Sequence, residues 1–143
     1  MVPADKDRLR SRIDHVRSRV RRLKEIAETD RERFLGNDLL QAASVRYLQT
    51  GIEALLDIGN HLVAREGLGT PRSYQEVIDL LIEHGILRTE DRTTYREMVR
   101  FRNRAVHLYE EIDAAEIYQI LQENLGDFET FVSAIVDRYF SEG

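Results

Sequence analysis

An apolar residue recurs at steps of four and three from Leu9 through Ile13, Val16, Val20, Leu23 and Ala27, and again at Phe34. Only an α-helix carries that spacing on one face, so the pattern predicts a long first helix with a seam for a partner. The spacing returns at Leu48, Ile52, Leu55, Gly59 and Leu62, widened by Leu56 and Val63. A second helix is therefore predicted from a cap at Asn37 or Asp38 to about Glu66. The stretch from Gly67 to Pro71 reads as a turn. Ser73 and Glu76 form a capping box for a short third helix with Tyr74, Val77, Ile78 and Leu81 inside, closed by Gly85. A fourth helix from near Thr89 is expected to turn Tyr95, Met98, Val99 and Val106 inward. A fifth, opened by Asp113 and Glu116, is apolar at Ile117, Ile120, Leu121, Phe128, Phe131, Val132, Ile135 and Tyr139.

Two prolines, Pro3 and Pro71, and eight glycines leave these stretches unbroken, and no strand alternation competes with them. Four long helices and a short one predict an all-α, up-and-down bundle. With 143 residues, no internal repeat and no linker, residues 1–143 are expected to form a single domain. There is no cysteine, which removes disulfides and thiolate metal sites. Without an apolar leader or a membrane-length apolar run, the chain is expected to be soluble and cytoplasmic.

The net charge of −5 is unevenly spread. Residues 1–24 hold nine Lys and Arg against three Asp, whereas residues 105–143 hold one Arg against nine acids. Between them, six arginines from Arg88 to Arg104 face Glu90, Asp91 and Glu97. A chain that is acidic on average can thus still present basic surface to an anion.

The densest such stretch is 100–109, RFRNRAVHLY, with three arginines, an asparagine, a histidine and a tyrosine. Asn103 and His107, four apart, share a helix face. Arg102 and His107 lie five apart, about 140° around a helix, so a continuous helix points them away from each other. One site can use both if the helix loosens near His107 or if a second copy of the chain brings its own motif alongside. Read from the residues alone, Arg102 fits a snorkelling or ion-paired arginine, and His107 a helix cap, as well as they fit a phosphate site.

The run Arg102-Asn103-Arg-Ala-Val-His107-Leu-Tyr109 resembles the motif of HEPN-domain proteins of the HepT type, in which Arg, four residues, His, one residue and Tyr follow in order. The flanks resemble the family too, from Tyr95-Arg-Glu-Met-Val-Arg-Phe before the motif to Glu-Glu-Ile-Asp113 after it. So does the second helix, from Gln41-Ala-Ala-Ser-Val-Arg46 through Glu53 to Asp57. The resemblance implies a HEPN-like bundle that forms a two-fold dimer with both motifs lining one cleft. It further implies a ribonuclease toxin cutting RNA, not DNA, without a metal or other cofactor. The implied partner is an antitoxin of the minimal nucleotidyltransferase class, MntA-like, which adds AMP to the motif tyrosine, here Tyr109. An alternative is a non-catalytic helical module that binds such a nucleotidyltransferase, and a blander one is a structural dimer with Arg102 in an interface ion pair.

The residue types suit RNA cleavage by the 2′-hydroxyl, which requires proton movement and stabilisation of charge on the phosphoryl oxygens. An imidazole works near neutral pH as acid or base, the expected role of His107. A guanidinium offers a fixed fork of donors to phosphate, the expected role of Arg102. Asn103 is expected to orient His107 or the phosphate, and Tyr109 to meet a base or the backbone. Arg46, Glu53, Asp57, Arg100 and Arg104 are candidates for the cleft lining. Glu53, Asp57 and His61, spaced by four, read as a polar helix face rather than metal ligands, since no matching Glu or His pair occurs elsewhere. Gly67-Leu-Gly69 is too short for a dinucleotide fingerprint, and His15 and His84 read as surface residues. The arginines of residues 8–22 fit a solvated helix with dimer contacts at least as well as an RNA grip.

Overall fold

A computed structural model describes residues 3–140 and consists of helices joined by short turns. They are α1 (Pro3–Ala27), α2 (Arg31–Leu35), α3 (Asp38–Arg65), α4 (Tyr74–Glu83), α5 (Arg92–His107), α6 (Ala114–Glu123) and α7 (Gly126–Tyr139). The all-α bundle expected from the spacing is present, with α3 at its centre in contact with α1, α4, α5, α6 and α7. No helix among the described residues is long and apolar enough to cross a membrane.

Two of the expected helices are divided. The first ends at Ala27, and Phe34 belongs to the separate α2, whose start is capped by the Asp30 side chain accepting from Arg33 N–H at 2.9 Å. The break persists because α6 serves the exposed end of α1. Tyr118 Oη donates to the Thr29 carbonyl at 2.9 Å and Gln122 Nε2 to the Ala27 carbonyl at 2.8 Å, satisfying acceptors a helix end leaves open. Phe34, fully buried, packs against the Tyr118 ring at 5.3 Å between centroids. The last expected helix divides at Asn124–Leu125, where three-residue bonds from Asp127 N–H to Asn124 and from Phe128 N–H to Leu125 replace the helical ladder. Asn124 and Gly126, both weak helix formers, occupy that junction.

The core runs along α3 through Leu48, Ile52, Leu55, Ile58 and Leu62, and meets Leu9, Ile13, Val16 and Leu23 of α1 and Phe128, Phe131, Val132 and Ile135 of α7. Tyr95 sits edge-on to Phe131 at 5.3 Å. Val106, expected inside, is 40% exposed. Near its C-terminus α5 buries Phe101 and Ala105 instead, so its buried stripe drifts away from the Tyr95–Val99 line and leaves Val106 outside.

Gly59 marks the closest approach of α3 and α4. A Cβ there would lie 2.8 Å from Val77 Cγ1 and 3.1 Å from Leu81 Cδ1, and neither neighbour is the free end of a long side chain. Gly59→Ala is expected to destabilise by about 1–2 kcal/mol, overpacking outweighing the gain in helix propensity. Thermal unfolding should show Tm lower by roughly 3–8 °C; an unchanged Tm would mean that α4 moves aside without cost.

Candidate active site

The residues of 100–109 are placed by the way α5 ends. Its last helical bond runs from Leu108 N–H to the Arg104 carbonyl at 2.7 Å, after which Leu108 leaves helical geometry at φ −135° and ψ 40°. A tight turn over Tyr109–Glu111 follows, and Asp113 caps α6 by accepting from Glu116 N–H at 2.8 Å. Arg104 ties this junction together. Its Nη1 and Nη2 reach the two Glu116 carboxylate oxygens at 2.5 and 2.9 Å, and Nη2 also reaches the Glu111 carbonyl at 3.4 Å. The Glu116 hydrogen bond is the largest of the effects that raise the Arg104 pKa further, so this brace stays charged.

Arg102 lies on a different flank of α5. Its side chain is only 19% exposed, and its Nε donates to Glu53 Oε2 of α3 at 3.0 Å. Nη1 donates to the side-chain oxygen of Asn103 at 3.2 Å, and the guanidinium carbon stands 5.0 Å from the centre of the Tyr74 ring. Beyond them, Val106, His107, Leu108 and Tyr109 form an exposed rim. Because α5 stays helical through His107, Arg102 and His107 of one chain point apart, and the loosening comes only after the histidine.

The candidate lining residues separate into two groups. Glu53 and Asp57 line a groove of about 500 Å³ with Arg8, Arg12, His15 and Thr50, between α1 and α3. Arg100 and Arg104 line another, of about 530 Å³, with Thr94, Met98, Phe101 and Glu116. Within the chain, then, Arg100 and Arg104 are not brought together with Arg102; Arg100 pairs with Glu97 and Arg104 with Glu116. Arg46 is exposed on α3, one turn before Thr50. Glu53, Asp57 and His61 also do not converge. Asp57 pairs with Arg12 at 3.3 Å, and His61 stands 3.9 Å from Asp5. Among the described residues, no three His, Asp or Glu side chains form a metal-binding group. His15 and His84 are exposed, as expected.

Tyr74 is the site residue that spacing does not reveal. Its position predicts a core side chain; it packs half-buried against the core, and its ring also lies under Arg102.

The chain is similar to known proteins. An mRNA nuclease HepT of Shewanella oneidensis is 32% identical over 106 residues, 74% of this chain and 80% of that one. A crystal structure of a toxin–antitoxin with AMP-PNP matches with a TM-score of 0.82 at 28% identity, covering 89% of this chain and 96% of that one. A tri-AMPylated Shewanella oneidensis HEPN toxin in complex with an MNT antitoxin matches with the same TM-score and identity, over 89% and 95%. The family model described as ribonuclease HepT-like matches residues 16–135, and this chain belongs to that family.

Proposed function

We propose that this chain is the toxin of a toxin–antitoxin pair: an endoribonuclease that works as a two-fold dimer without a metal. A nucleotidyltransferase antitoxin would neutralise it by adding AMP to Tyr109. The observation that carries this reading is the unbroken Arg102-Asn103-x3-His107-x-Tyr109 motif in a chain of the ribonuclease HepT-like family. In this reading the bundle acts as a single domain in the cytoplasm, on RNA rather than DNA.

The chemistry follows from the residues. The 2′-hydroxyl loses its proton to a base and attacks the adjacent phosphorus; the 5′-oxygen leaves, taking a proton from an acid. The products are a 2′,3′-cyclic phosphate and a 5′-hydroxyl. His107 moves the protons, and Arg102 stabilises charge on the phosphoryl oxygens. One motif histidine cannot stand on both sides of the phosphorus. A second copy supplies the other, and it also resolves the divergence of Arg102 and His107 along α5. Exposed Val106 and Leu108 beside the motif give that second copy an apolar contact.

The test is cleavage of tRNA and mRNA in EDTA, with 3′-end mapping, on protein whose intact mass shows no attached AMP. Cyclic phosphate ends are expected. No cleavage by unmodified, dimeric protein would leave a non-catalytic module that binds a nucleotidyltransferase.

A further inference from the structure

We infer that Glu53 and Tyr74 are positioning residues that hold the Arg102 guanidinium with its outer edge toward the scissile phosphate, an inference that rests on the nuclease reading above. A guanidinium has five N–H donors. Here Glu53 takes the Nε donor at 3.0 Å, Asn103 takes one from Nη1 at 3.2 Å, and Tyr74 covers one face at 5.0 Å. Three donors remain for an anion, one on Nη1 and both on Nη2.

The contrast with Arg104 supports a role beyond stability. Arg104 spends both terminal nitrogens on Glu116, as an arginine whose purpose is a structural tie does. Arg102 is gripped through Nε and one Nη1 donor, and its Nη2 stays available. The grip is itself fixed. Gln49 Nε2 donates to Glu53 at 3.3 Å. Two contacts lock α4 beside α5: Gln75 Nε2 donates to the Arg96 carbonyl at 3.2 Å, and Arg92 pairs with Asp79 at 3.4 Å. Tyr74, at the first turn of α4, is thereby held in place.

Glu53 also places a negative charge beside the site, which opposes binding of an anionic substrate in its ground state. A residue retained there for orientation has a kinetic signature. Its removal lowers kcat while KM stays level or falls, because phosphate attraction grows as alignment is lost.

The experiment measures steady-state cleavage of a short RNA by wild type, Glu53→Ala, Glu53→Gln and Tyr74→Leu, each checked for folding by circular dichroism. Loss of kcat of roughly 10- to 100-fold is expected for Glu53→Ala, and a smaller loss for Tyr74→Leu, with KM no higher than wild type. Arg102→Ala combined with Glu53→Ala should be no slower than Arg102→Ala alone. If Glu53→Ala does not fold, Glu53→Leu, which keeps bulk but cannot accept from Nε, decides; Glu53→Gln, whose amide oxygen can still accept that bond, should lose less than Glu53→Ala. A folded Glu53→Ala or Glu53→Leu with kcat within twofold of wild type overturns the inference, as does a rise in KM at constant kcat. Cleavage by the wild type reports separately on the nuclease reading. A second arm is independent of cleavage: the Arg102 Nε–H resonance in ¹⁵N NMR, identified by its loss in Arg102→Lys. It is expected to be protected from exchange in the wild type and unprotected in Glu53→Ala; an unchanged signal means that Glu53 does not hold the arginine.

Discussion

His107→Ala is expected to give a folded protein that no longer cuts RNA. The side chain is exposed at the last position of α5, outside the core. Its loss therefore opens no cavity, and Tm should stay within about 2 °C of wild type, as for surface substitutions generally. The catalytic loss is of another order. Proton transfer by a positioned side chain contributes about 10²–10⁴-fold, and in a two-fold site the substitution removes both acid and base at once. Cleavage rate per folded protein is the measurement, and a drop of at least 10³-fold is expected. A well-folded variant that cuts at the wild-type rate would remove His107 from the mechanism. A mixed dimer of wild-type and His107→Ala chains sharpens the test. If each cleft needs both histidines, such dimers are as inactive as the variant, and activity falls with the square of the wild-type fraction rather than in proportion to it.

Most helices are readable from apolar spacing because burial is what selects their faces. The second predicted helix, from a cap at Asn37 or Asp38 to about Glu66, is α3, Asp38–Arg65. The Ser73 cap and the Gly85 end of α4 follow from local chemistry that the residues declare: Ser73 Oγ accepts from Glu76 N–H at 3.2 Å, and Gly85 takes φ +73°. The breaks are not readable, since what stabilises them is remote. The seam from Leu9 runs through Ala27 and resumes in register at Phe34, past Asp30, but Tyr118 and Gln122, some 90 residues later, satisfy the carbonyls of a helix that stops. The same distinction holds at the site. Residue type and spacing within 100–109 allow phosphate chemistry without demanding it, and it is the resemblance of Arg102-Asn103-x3-His107-x-Tyr109 to the HepT type that singles these residues out. That Glu53, 49 residues away, grips Arg102, that Tyr74 covers it, and that Arg104 is committed to Glu116 are facts of tertiary packing with no local signature.

Tyr109→Phe is expected to separate toxicity from its control. Tyr109 is 47% exposed in the turn that follows α5, two residues beyond His107, so its hydroxyl is open to a partner enzyme. Adenylylation joins that oxygen to the α-phosphorus of ATP; the phenolic proton is lost and pyrophosphate leaves. The product carries a nucleotide and a new negative charge beside the residues that must receive an RNA phosphate, so it excludes substrate by bulk and by repulsion. Phenylalanine keeps the ring and removes only the acceptor oxygen. The variant should therefore cleave RNA at close to the wild-type rate unless the hydroxyl itself orients substrate, a loss on the order of tenfold at most. The comparison is made with antitoxin and ATP present. Wild type should gain mass by one or more adenylyl groups and lose cleavage, while Tyr109→Phe should gain none at this position and continue to cut. If the phenylalanine variant is fully silenced with its mass unchanged, neutralisation works by occlusion in the complex and not through Tyr109. If it gains AMP and is silenced, another hydroxyl on the same rim is the acceptor, and mapping the modified peptide identifies it.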